Sequence, residues 1–226
     1  MATATATNNI VDLRRMLAER FPSARLRPAV NTEVEPTGVT ALDSLLGGGL
    51  PKGEVTELLA SGAGSGSAQV LHALLRHTAE AGRFLALVDG ADSFDVDAAE
   101  AFALERLLWV RCRRADEAMK AADLLLRDRN LPLVVLDLKL NRDAELRRIP
   151  SSAWFRFSRL VEYHGTTLLV ITPQQLVGAA GCRVRVESRL GVDALAAGPA
   201  EALARSRFEL LRAAGIEREA GHAGVA

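Results

Sequence analysis

The chain has 226 residues, with 28 basic and 28 acidic side chains and a formal net charge of zero. That balance excludes a whole-surface pull toward nucleic acid or anionic membrane and leaves only local patches. Hydrophobic residues make up 49% and aromatics 4%, so the core is expected from Leu, Val and Ala, as in a buried parallel sheet.

In chain order, "NNIVDLRRMLAERFP" predicts a short amphipathic helix. Its apolar stripe is Ile10, Leu13, Leu17 and Phe21, at three- and four-residue steps. Pro22 stops it, and an extended linker with prolines at 28 and 36 follows. "TALDSLLGG" predicts a short helix, and Glu54 to Ala60 a strand. Ser67 to Gly82 predicts a helix with Val70, Leu71, Leu74 and Leu75 inward. "RFLALVD" reads as a strand ending at Asp89, Asp95 to Leu104 as a short helix, and "LLWVRC" as a strand. Ala115 to Arg129 reads as a helix, and "LPLVVLDL" as a buried strand ending near Asp137. "SSAWFRFSRLVEYHG" is a helix closed by Gly165, and "TTLLVIT" a strand. "CRVRVES" alternates like a half-exposed strand that puts Arg183 and Arg185 on one face. The last stretch, residues 201–226, fits either a helix (Ala204, Phe208, Leu211) or an edge strand (Phe208 and Leu210 flanked by Arg207, Glu209 and Arg212). Alternating strands and helices predict a doubly wound, mostly parallel α/β sheet, with ligands placed beyond the carboxyl ends of the strands. The division is an arm and linker (1–36), a core (37–198) and a C-terminal segment with a tail (199–226).

The turn at Ser61 to Ala68, "SGAGSGSA", sits between strand and helix, where the phosphate-binding pattern G-x-x-x-x-G-K-[ST] belongs. Gly66 keeps the second glycine. Ser61 stands at the first glycine position, Ser67 at the lysine and Ala68 at the metal-binding hydroxyl. Gly62, Gly64 and Gly66 suit an anion-binding nest of amides. They equally suit any tight turn. A hydrogen bond to a charged group is worth about 1.5–3 kcal/mol. Losing the lysine and the metal contact would therefore weaken nucleotide binding roughly a hundred- to ten-thousandfold.

"RRIPSSAWFRFSR" interleaves Arg148, Arg156 and Arg159 with the off-face Phe155, a candidate patch for single-stranded DNA or a protein partner. Trp154, Phe157 and Val161 should instead face the sheet. The four histidines show no metal-ligand spacing, and no metal, cofactor or catalytic residue is assigned. Cys112 and Cys182, with no C-x-x-C, are expected as reduced buried thiols. No apolar run is long enough to span a membrane, and the start lacks a signal-peptide pattern.

Thr37 to Leu59, "TGVTALDSLLGGGLPKGEVTELL", resembles the entry to the RecA-type ATPase core. It shares the Thr-Gly start, the Leu-Asp pair, the Gly-Gly-Gly-Leu-Pro turn, a glycine and a strand carrying an acid. The resemblance runs to about Glu187 and matches Asp137 to the Walker B aspartate. It implies a RecA-like doubly wound fold with an N-terminal helical arm. It places Ala91 of "DGA" where the family's water-orienting acid stands, and Thr172 and Pro173 at the family's sensor amide, with Gln174 as a substitute only if the loop shifts. Asp137 then reads as a relic capping the adjacent turn. Loops after the later strand contact DNA in RecA-like filaments, whereas "PQQLVGAAG" is short and uncharged.

Within that superfamily the chain looks most like the ImuA group. That resemblance implies a non-catalytic, cytoplasmic accessory of damage-induced, error-prone translesion synthesis. Its implied partners are an ImuB-type polymerase-like subunit, through it an error-prone polymerase, and RecA. The arm residues Ile10, Leu13, Leu17 and Phe21 are the candidate contact to a partner or to a second copy. A SulA-like division inhibitor and an ATPase with a non-standard loop are the alternatives.

Overall fold

The structure, a computed structural model, describes residues 33–61, 64–188, 203 and 205–213. The chain divides into two units, Met1–Asn31 and Thr32–Ala226. Ile10, Leu13, Leu17 and Phe21 of the predicted arm lie outside the described residues, as does Gly62.

A small antiparallel pair, β1 (Val34–Glu35) with β2 (Leu50–Pro51), opens the core. Between them lies α1 (Thr40–Leu45). The Thr-Gly…Leu-Asp pattern closes on itself here. Asp43 accepts from the Thr37 amide at 2.9 Å and the Thr37 hydroxyl at 2.7 Å, and that hydroxyl accepts from the Val39 amide. The clasp satisfies amides that the start of a helix leaves without partners.

The main sheet has seven strands in the order β5-β4-β6-β7-β3-β8-β9. They are β3 (Val55–Leu59), β4 (Leu85–Asp89), β5 (Leu107–Arg111), β6 (Leu133–Asp137), β7 (Thr167–Thr172), β8 (Cys182–Ser188) and β9 (Ser206–Ala213). All neighbours are parallel except the antiparallel β8–β9 pair. The helices are α2 (Ser67–Glu80), α3 (Ala101–Leu104), α4 (Ala115–Asp128), α5 (Asp143–Leu146) and α6 (Ser151–His164).

Alternation along the central strands sorts the core into two layers. Leu85, Leu87, Leu133, Val135, Leu169 and Ile171 pack with α1 and α2. Ala86, Val88, Val134, Leu136, Leu168 and Val170 pack with α4 and α6. Both faces are covered, so these strands read as unbroken aliphatic runs. On α6, Trp154, Phe157 and Val161 turn inward as expected. Each side chain of this size stabilises by about 1.5–3 kcal/mol on full burial.

Three expectations change. The helix predicted over Asp95 to Leu104 shrinks to Ala101–Leu104. There the Asp95 carboxylate accepts from the Asp97 amide, a local bond that competes with helix. Within the ambiguous C-terminal stretch, Ser206–Ala213 is a strand paired antiparallel with β8. And β8 is an inner strand with a mostly buried pattern, so Arg183 is buried rather than half-exposed.

Candidate functional site

Parallel pairing brings the carboxyl ends of β3, β4, β6 and β7 side by side. Asp89 is level with Asp137, Asp137 with Ile171, and Leu59 with Thr172. The Ser61 to Ala68 turn leaves β3 at this edge and enters α2. Ser61 and Gly64 are exposed, while Ser65, Gly66 and Ser67 are buried. Gly66 is the residue before α2 and has φ 95°, a region that L side chains avoid. A Cβ there would also meet Ser206 Oγ at 2.8 Å. Glycine is therefore required by backbone angle and by the approach of β9. Ser67 and Ala68 are the first two residues of α2. Ala68 is exposed and offers no side-chain oxygen.

The sequence alone did not single out Lys139, Ser65 or Asn141 at this site, and Lys139 is the charged one. From just beyond β6 its ammonium donates to Ser65 Oγ at 2.9 Å and Ser67 Oγ at 3.2 Å. Its own amide donates to Asp137 Oδ1 at 2.9 Å. Asp137 thus caps the turn that follows it. Burial pushes the Asp137 carboxyl up to about 6; the Lys139 amide opposes this, and the Asp89 charge adds to it. Burial pulls the Lys139 ammonium below its ordinary value, with Asp137 opposing. The scarcity of lysine, with Lys52, Lys120 and Lys139 alone among 28 basic residues, was a usable signal.

Asp89 serves its own loop. Its carboxylate accepts from the amides of Ala91 (3.3 Å), Ser93 (2.8 Å) and Phe94 (2.8 Å), from the Ser93 hydroxyl and from Trp109 Nε1. Ala91, just beyond β4, carries only a methyl as its side chain. Gly90 lies tight against β6, its amide donating to the Asp137 carbonyl at 2.8 Å. A Cβ there would collide with Asn141 Oδ1. Asn141 is buried and donates to the Gly90 carbonyl at 2.6 Å, while its own Oδ1 has no partner.

Beyond β7 the connection 173–181 is pinned from beneath. Glu57, in the middle of β3 and 0% exposed, accepts at Oε1 from Thr172 Oγ1 (3.1 Å), the Leu176 amide (2.7 Å) and the Val177 amide (3.0 Å). Its Oε2 accepts from Arg183 Nε at 2.5 Å, and Arg183 also donates to the Val177 carbonyl at 2.8 Å. Arg183 is therefore a structural ion-pair partner, not a surface contact for DNA. Arg185 pairs with Glu209 at 2.7 Å. Gln174 faces away from the site's interior and donates to Asp143 Oδ1 at 2.6 Å.

The basic and aromatic patch is only partly assembled. Phe155 is 57% exposed, and Arg159, one turn along α6, is exposed beside it. Arg156 is committed to Asp123 of α4 at 2.7 Å, and Arg148 is exposed before α6 begins. Both cysteines are free and buried. Among the described residues no group of His, Cys, Asp and Glu is arranged to hold a metal, and no helix is long and apolar enough to cross a membrane.

The RecA N-terminal domain family model matches residues 24–146. The chain is 35% identical over 114 residues to protein RecA of Salinispora arenicola, covering 49% of this chain and 32% of that protein. It is 29% identical over 163 residues to protein RecA of Kineococcus radiotolerans, covering 65% and 46%. The chain thus spans about a third to a half of the length of these relatives. Its fold is similar to the crystal structure of the RadB recombinase, with TM-score 0.57 and 20% identity over 70% of this chain and 85% of that one.

Proposed function

The chain belongs to the RecA N-terminal domain family, and from that premise we propose that it acts by protein contact rather than by turnover, as an ImuA-like accessory of damage-induced translesion synthesis. The observation that carries this reading is the start of α2. Phosphoryl transfer by a phosphate loop uses a lysine on the β- and γ-phosphates, a hydroxyl on Mg²⁺ and a group that orients water. Here those positions hold Ser67, Ala68 and Ala91.

The donor set does not fit a magnesium–nucleotide complex. Magnesium requires oxygen ligands in near-octahedral array, and Ala68 supplies none. The Lys139 ammonium, hydrogen-bonded to Ser67, sets a positive charge where a cation would approach. The pinned, uncharged 173–181 connection supports the same reading, since it offers no mobile cationic loop to a DNA strand.

The proposed partners are an ImuB-type polymerase-like subunit, an error-prone polymerase joined through it, and RecA, whose protomer surface this fold imitates. Calorimetric titration with ATP and Mg²⁺, with turnover measured in parallel, tests the proposal. The expected result is no saturable heat and no phosphate release at millimolar nucleotide. A micromolar isotherm with turnover would instead select the reading of an ATPase with a non-standard loop. Pull-down with the polymerase-like subunit, with and without residues 1–22, then locates the contact. Co-purification with the tubulin-like division protein instead would select the SulA-like reading.

A further inference from the structure

The loop and the strand end it faces are joined by a charge that the family pattern does not contain. In a phosphate-loop enzyme a divalent ion bridges the hydroxyl that opens the helix and the acid that ends the Walker B strand. Here the Lys139 side chain spans the same two elements. Its backbone amide is fixed on the Asp137 carboxylate, and its ammonium donates to Ser65 and Ser67. We propose that Lys139 is a built-in cation that replaces the metal as the bridge between β6 and α2, so that the loop is held in shape without nucleotide or divalent ion.

Four observations support the bridge. Lys139 is half-buried, yet it forms no ion pair with a carboxylate among the described residues, so its ammonium is directed at the two hydroxyls. Ser65 and Ser67 are both buried, and buried hydroxyls require partners. The positive end of the α2 macrodipole alone would disfavour a nearby ammonium, so the specific hydroxyl contacts and the neighbouring Asp137 must outweigh it. Finally, the element being held is sterically exacting, because Gly66 lies against Ser188 and Ser206 at the β8 and β9 edge. A loop that moved would open that contact as well.

The inference rests on the non-catalytic reading but fails separately from it. That reading falls if the wild-type protein turns over ATP. The bridge is read by hydrogen exchange in the full-length protein, at the amides from Val70 to Leu74 in the first turns of α2. Lys139→Met keeps the stem and removes the ammonium. It is expected to speed exchange there at least tenfold, with Leu85–Asp89 of β4 unchanged. The Ser65→Ala, Ser67→Ala double variant keeps the lysine and removes its acceptors, and it should give a similar increase. Combining all three substitutions should add little, because the groups act as one unit. Adding Mg²⁺ alone should leave wild-type exchange unchanged. Unchanged exchange in Lys139→Met, fully additive effects, or loop protection induced by Mg²⁺ in the wild type would each overturn the bridge.

Discussion

Two turns at the same edge of the sheet are held in opposite ways. The 173–181 connection hangs from Glu57 and Arg183, 0% and 6% exposed, through a network of hydrogen bonds to the Glu57 carboxylate and the Val177 carbonyl. The phosphate-loop turn is held by one half-exposed lysine reaching across from the end of β6, two strands away from β3. Low dielectric strengthens the first network and makes any unpaired member costly. Solvent weakens the second and leaves it adjustable. The connection after β7 is thus fixed from the core, and the turn before α2 is propped from its half-exposed side.

The strongest way to break that comparison is Glu57→Ala. Removing one partner of a buried ion pair leaves the other charge uncompensated, at a cost of about 3–5 kcal/mol. Arg183 and the amides of Leu176 and Val177 lose their acceptor together. Glu57→Gln should cost nearly as much, because its amide nitrogen would point a donor at a donor. Urea denaturation measures both. A loss under about 1 kcal/mol would show that the connection is not held from beneath.

Asp137→Asn acts on the softer side and in the other direction. In the unfolded chain this carboxyl titrates near 3.8, and in the folded protein near 6. The folded state therefore holds the extra proton between those values. Wild-type stability should fall as pH rises from about 4 through 6 and then level off. Asparagine keeps the acceptor for the Lys139 amide and removes the titration. The variant should gain on the order of 1–3 kcal/mol at pH 8, the upper figure following from about two units at ~1.4 kcal/mol each. The lower end allows for the solvent the residue retains. Near pH 4 the two proteins should converge. Thermal melts across pH 4–8 decide it, and a variant less stable than wild type at pH 8 would mean that the charge is needed to hold Lys139.

The frame of this site was legible in the sequence because each part has a local signature. Each aliphatic run carries its own turn or terminal acid next to it in sequence, and strand register alone brings these ends to one edge. Lys139 has no such signature. Its contacts with Ser65 and Ser67 join residues more than seventy positions apart. No periodicity encodes a lysine stem crossing between strands. Arg183 was misread for a related reason. Alternation in "CRVRVES" signals two faces, but the Arg183 face is covered by the 173–181 connection and by Glu57 of β3, contacts that alternation does not encode. Glu57 showed only as an acid in a strand; its four donors come from β7, β8 and the turn between them.

The smallest expected effect sharpens where the 173–181 connection is anchored. Gln174 bonds Asp143 at 2.6 Å on the outer side of the turn, in solvent. Water replaces such a bond at little cost, so Gln174→Ala should change stability by less than about 1 kcal/mol. Hydrogen exchange at the Leu176 and Val177 amides should be the same as in the wild type, since their acceptor lies on the buried side and is untouched. A loss comparable to that of Glu57→Ala, or fast exchange at Val177, would move the anchor to the surface. The turn would then be movable by whatever partner covers Asp143, and the contrast between a frozen turn and a propped one would disappear.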